Sequence, residues 1–103
     1  MVVDALNDAL PIFRALGEPS RARIVAALIE REGAATVGQI QDAVGMPQST
    51  VSRHLRILLD SRLLRVTRNG TQRSYHLDVQ PEALAAVERL IAEVRACQTA
   101  ESD

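Results

Sequence analysis

Residues 36–61 read TVGQIQDAVGMPQSTVSRHLRILLDS. Thr36 and Gln39 stand three apart, the spacing of a capping box at the start of a helix. Val37, Ile40 and Val44 then recur at helical spacing, and Gly45 supplies a stop. Met46 and Pro47 complete a tight connection, after which a second helical pattern runs from Gln48 to Ser61. A short helix, a tight turn and a second helix make a helix-turn-helix over residues 36–61. The second helix has two unlike faces. Val51, Leu55, Leu58 and Leu59 share one side and must face a core. Gln48, Ser49, Ser52, Arg53 and Arg56 share another, with Thr50 completing the small polar start. Small side chains permit close approach to base edges, and a helix N-terminus favours a phosphate. Gln pairs with adenine and Arg with guanine in the major groove, while Arg56 suits the backbone. His54 borders the apolar stripe and is expected to pack against a neighbouring helix.

Beyond that helix the period changes from helical to alternating. In LLRVTRNGTQRSYHLD, residues 63–78, Leu64, Val66, Tyr75 and Leu77 alternate around Asn69-Gly70, a strong hairpin signal. The hairpin, residues 64–78, is a wing. Arg68 and Arg73 flank its turn and can reach an adjacent minor groove or its phosphates. Upstream, Asp4 is expected to cap a helix to Leu16 with Leu6, Leu10, Phe13 and Leu16 at helical spacing. Pro11 inside it marks a kink or a new start. A second helix opens near Pro19 and closes at Gly33, burying Ile24, Val25 and Leu28. Pro81 opens a last helix to about Cys97, with Leu84, Val87, Leu90, Ile91 and Val94 in a stripe and a loose tail from Gln98. The stripes on the first and last helices, residues 4–16 and 81–97, lack an obvious partner within the chain, which agrees with a dimer.

Composition agrees. A chain of 103 residues with 47% hydrophobic content suits one domain, residues 1–103. Phe13 and Tyr75 are its only aromatic residues, so Leu, Ile, Val and Ala must build the core. The expected fold is mainly α: about five helices plus a two-stranded wing, dimeric. No apolar run is long enough to span a bilayer, and the N-terminus lacks a signal-peptide pattern, so the expected location is cytoplasmic. The net charge of −1 conceals an uneven distribution. Residues 49–73 hold six arginines and one acid, Asp60, whereas the segments on either side are net acidic. A polyanion meets that local field before it meets the total.

The stretches ALGEPSRARIVAAL, VGQIQDAVGMPQSTVSRHLRILLDSRLLRV and RNGTQRSYHL resemble, in order and spacing, the signatures of the ArsR/SmtB (arsenic-repressor-type) family of bacterial winged-helix regulators. The resemblance covers residues 15–77. It implies a homodimer joined by its first and last helices, with one recognition helix per subunit, acting as a repressor on double-stranded DNA. Gln48, Ser49, Ser52 and Arg53 match the positions at which that family contacts DNA.

The departures from the family concern the signal. Many members sense metals through cysteines on the first helix of the helix-turn-helix, and others through Asp and His on the last helix. Here ATVGQIQDAV holds neither Cys nor His, and PEALAAVERLIAEVRACQ holds no His. Two weaker constellations remain: Glu93 with Cys97, four apart on one helix face, and His76 with Asp78 on one side of a strand. For each, a surface pair without ligand is the favoured reading, and Asp4 or Asp8 makes a still weaker site. No cofactor is expected. A protein-interaction module, or control by a regulatory protein partner, is the competing reading; arginines rather than apolar anchors on residues 48–73 favour nucleic acid. No nucleophile–base pair or phosphate loop points to an enzyme.

Overall fold

The computed structural model describes residues 1–102; Asp103, the end of the expected tail, lies outside the described residues. Five helices and a hairpin follow in order: α1 (Val2–Leu16), α2 (Pro19–Arg31), α3 (Val37–Val44), α4 (Gln48–Asp60), β1 (Leu64–Asn69), β2 (Gln72–Leu77) and α5 (Pro81–Ser102).

One core joins α2, α3, α4 and the hairpin. Ile24, Leu28, Ile40, Val51, Leu55 and Leu58 are its largest fully buried side chains. Each contributes about 1.5–3 kcal/mol by leaving water. The expected capping box at α3 is present: Thr36 Oγ1 accepts the Gln39 N–H at 3.2 Å, and the Gln39 side chain accepts the Thr36 N–H at 2.9 Å. Gly45 ends α3 at φ +69°, a left-handed conformation that suits glycine. A different cap ends α4. The Leu63 N–H donates to Leu58 O at 3.1 Å and the Arg62 N–H to Leu59 O at 3.0 Å. This is a Schellman motif with Leu63 and Leu58 buried together. Its left-handed residue is Arg62, at φ +60°, where glycine is usual.

Strands β1 and β2 pair antiparallel, with Leu64 opposite Leu77 and Val66 opposite Tyr75. The hairpin loop is Gly70–Thr71 rather than Asn69-Gly70, because Asn69 still pairs with Gln72. Gly70 has φ +67° and Thr71 has no positive φ, the pattern of a type II′ turn with glycine first. Ala35 exchanges backbone hydrogen bonds with Tyr75 at 3.1 and 2.8 Å. That bridge pins the hairpin to the segment entering α3.

Helices α1 and α5 form a second layer. It corrects several expectations. Helix α1 starts at Val2, and Asp4 sits in its first turn, 3.3 Å from the N-terminal ammonium, rather than capping it. The inward residues of α1 are Ala5, Ala9, Ile12 and Ala15, not Leu6 and Phe13. Ala5 and Ala9 meet Ala86 of α5, and such small residues let the two helices approach closely. Leu6 and Phe13 stay 43% and 45% exposed. Pro11 lies within a continuous α1. Helix α5 does not end near Cys97 but runs on to Ser102. Gln98–Glu101 hold no Gly or Pro to stop it, and Thr99 bonds back to Arg95 O at 2.8 Å. The resulting 57 × 23 × 22 Å shape and 16.1 Å radius of gyration exceed the roughly 13 Å of a compact 100-residue domain.

Candidate nucleic-acid interface

Helix α4 carries the interface. Val51, Leu55 and Leu58 hold its inner face in the core, and His54 joins them at 9% exposure. Gln48, Ser49, Ser52, Arg53 and Arg56 are exposed on the outer face, with Thr50 half-buried at its edge. Pro47 caps α4 with no side-chain hydrogen bond, so the amides of the first turn have no side-chain acceptor. Two arginines missed in the sequence fix the surroundings. Arg23 donates to Val44 O at the end of α3, and Arg21 Nε donates to Ala15 O at 2.8 Å at the end of α1. Neither bears on a motif, so only the placement of carbonyl ends could reveal them.

His54 packs against a neighbouring helix, as its place beside the stripe suggested. Its Nε2 lies 3.6 Å from Glu18 Oε2, and Glu18 caps α2 by accepting the Arg21 N–H at 3.2 Å. The Ser20 amide is the largest of the influences that hold the Glu18 carboxyl below its ordinary value. Partial burial opposes it, and the Arg21 amide and the fields of the nearby His54 and Arg21 side chains add to it.

The wing lies beside α4. A groove of about 440 Å³ between them is lined by Gln48, Ser52 and Arg56 on one side and Thr71, Gln72 and Arg73 on the other. Thr71 and Gln72 were absent from the expected site; the displaced hairpin turn brings them there. Ser49, Arg53 and Arg68 are exposed but do not line this groove. Arg68 stands directly opposite Arg73 across the strands. Like charges so placed repel each other. The single acid of residues 49–73, Asp60, lies 3.5 Å from Arg56, in an exposed pair of little energetic weight.

The comparisons with known proteins point one way. A helix-turn-helix domain model matches residues 11–67. An HTH-type transcriptional regulator of Methanocaldococcus jannaschii is 34% identical over 75 residues, 73% of this chain and 83% of that protein. A transcriptional repressor SmtB homolog of Synechocystis is 35% identical over 77 residues, 75% of this chain and 57% of the repressor. A homodimeric winged helix-turn-helix DNA-binding domain from Mycobacterium bovis, solved in solution, superposes with a TM-score of 0.65 at 25% identity, covering 98% of this chain and 89% of that one. The chain belongs to the ArsR/SmtB family of helix-turn-helix transcriptional regulators.

Among the described residues of this ArsR/SmtB member, the weak metal-ligand candidates do not gather into one site. The His76 ring is bonded to Thr67 Oγ1 at 2.9 Å, and Asp78 pairs with Arg65 at 3.3 Å. Glu93 and Cys97 are both exposed along α5. Among the described residues no three His, Cys, Asp or Glu side chains gather to hold an ion. No described helix is long and apolar enough to cross a membrane.

Proposed function

We propose that the chain acts in the cytoplasm as a homodimeric repressor on an inverted-repeat DNA operator. One observation carries the DNA reading: Arg68 faces Arg73 at the wing tip, beside a helix face of arginines and small polar residues. Free, the pair is repulsive; against a polyanion it becomes favourable. Helix α4 enters the major groove. Gln48 and Arg53 read base edges, and Ser49, Thr50 and Ser52 permit close approach. Arg56, Arg68 and Arg73 meet the backbone or the adjacent minor groove, which positions the protein.

The dimer rests on the second layer. Leu6, Phe13, Leu84, Ile91 and Val94 are 43–54% exposed. Most of them line a groove of about 580 Å³ between α1 and α5. A second copy would cover this stripe, as the homodimeric M. bovis domain encourages one to expect. Two-fold symmetry then sets the half-sites about 10 bp or a multiple apart.

The test is fluorescence anisotropy on DNA from upstream of the chain's own operon, against random DNA, with Phe13→Glu as the dimer control. Operator preference that Phe13→Glu lowers by at least about tenfold (1.4 kcal/mol), with a monomer in sedimentation, supports both parts. A dimeric Phe13→Glu protein would refute the interface. No preference over random DNA, after selection from a random-sequence pool, would refute operator recognition.

A further inference from the structure

His54 is the one buried polar side chain among the described residues, and the proposed DNA contacts make no use of it. Its ring sits on the inner side of α4, behind the residues that face DNA. Its Nδ1 is buried and has no hydrogen-bond partner. With the proton on Nε2, Nδ1 keeps a bare lone pair; the other tautomer would bury an unpaired N–H as well as turn a lone pair on the carboxylate. The first arrangement is therefore assigned from the surroundings. It turns the Nε2 proton toward Glu18 Oε2, 3.6 Å away, a close approach longer than a hydrogen bond. An apolar side chain of similar volume would fill the space without the orphaned nitrogen, so stability alone does not explain a histidine here.

The partner's position matters more than its charge. Glu18 lies in the short link between α1 and α2: it follows Gly17 and caps α2 by accepting from the Arg21 amide. The Arg21 side chain turns back to grip the end of α1, at Ala15 O (2.8 Å) and Arg14 O (3.4 Å). A continuous set of polar contacts therefore runs from the α1 end, through Arg21 and Glu18, to His54 in the recognition helix. In a dimer built on α1 and α5, the seat of α4 relative to α1 sets the distance between the two recognition helices.

We propose that His54 is a positioning residue, which through Glu18 fixes the seat of the recognition helix on the dimer layer and so the half-site spacing that the dimer accepts. This rests on the DNA-binding, dimeric reading above.

The experiment takes an operator selected from a random-sequence pool by the wild-type protein, the same operator with one base pair inserted between half-sites, and random DNA. His54→Met keeps the volume and removes the donor. Glu18→Asp keeps an acidic cap on α2 but withdraws the carboxylate from the ring. Both variants are expected to melt within a few degrees of wild type and to bind random DNA equally well. Each is expected to lose about tenfold on the operator and most of the discrimination against the inserted spacing. The double variant is expected to lose no more than either single one. His54→Gln, whose amide can still donate to Glu18, is expected to recover most of the loss. Wild-type discrimination in His54→Met or Glu18→Asp, additive losses in the double variant, or no recovery in His54→Gln would each overturn the proposal. A wild-type protein that selects no operator at all would instead count against the DNA reading beneath it.

Discussion

Replacing Arg68 by Gln should move stability and DNA affinity in opposite directions. Arg68 and Arg73 are cross-strand partners at the wing tip, and both side chains are exposed. The ion pairs of the described residues engage Arg56 and Arg65, and neither tip arginine. Directly opposed like charges cost about 0.2–1 kcal/mol. Exposure and a Debye length of about 10 Å at 0.1 M salt place this pair near the lower end, at about 0.3–0.5 kcal/mol. Relief of that repulsion should raise the melting temperature by about 2–3 °C, since 1 kcal/mol moves a domain of this size by about 4–8 °C. On DNA the balance reverses. Each phosphate contact adds about 0.9 to the slope of log affinity against log salt, so a dimer losing two contacts loses about 1.8. Between 50 and 200 mM salt the wild-type protein should then lose about tenfold more affinity than the variant. Anisotropy across a salt series and a thermal melt in the same buffers measure both quantities. Arg68→Gln should weaken operator and random DNA alike, because a backbone contact carries no sequence information. An unchanged salt slope would remove the wing from the interface. A lowered melting temperature would mean that Arg68 serves the fold rather than strains it.

Three further outcomes test the fold beneath the site. Leu58 is fully buried, so Leu58→Ala should cost about 3–4 kcal/mol in urea unfolding; a loss below about 1 kcal/mol would mean that the core closes over the gap. Arg62 holds a left-handed φ of +60° at the α4 cap, so Arg62→Gly should stabilise by about 0.5–1 kcal/mol, and a destabilised variant would show that its side chain earns the strained position. The Glu18 carboxyl lies below its ordinary value of 4.5 in the fold. Its contribution is therefore present above that value and lost as pH falls through the lower folded one. Melts from pH 6 to pH 3 should show an acid limb that Glu18→Gln flattens; an identical limb in the variant would locate acid sensitivity elsewhere.

Much of this protein was legible before any coordinates. Capping residues, stops and apolar periods act over three or four residues, and they identify α2, α3, α4 and the wing. The outer face of α4 was legible for the same reason, since a helix that buries Val51, Leu55 and Leu58 must expose Ser49, Ser52, Arg53 and Arg56. What needed tertiary structure was anything set by a second element. Periodicity marks Leu6 and Phe13 as an apolar stripe, but only packing against Ala86 turns Ala5 and Ala9 inward and leaves that stripe exposed. Asn-Gly announces a hairpin, yet strand register puts the loop one residue later and sets Arg68 against Arg73. The 3.6 Å approach of His54 to Glu18 joins residues far apart in sequence. Local pattern determines where elements begin and which face is apolar, because hydrogen bonding and burial act within a few residues. Which faces meet is decided by side-chain volumes on two elements at once, and that comparison exists only in the folded chain.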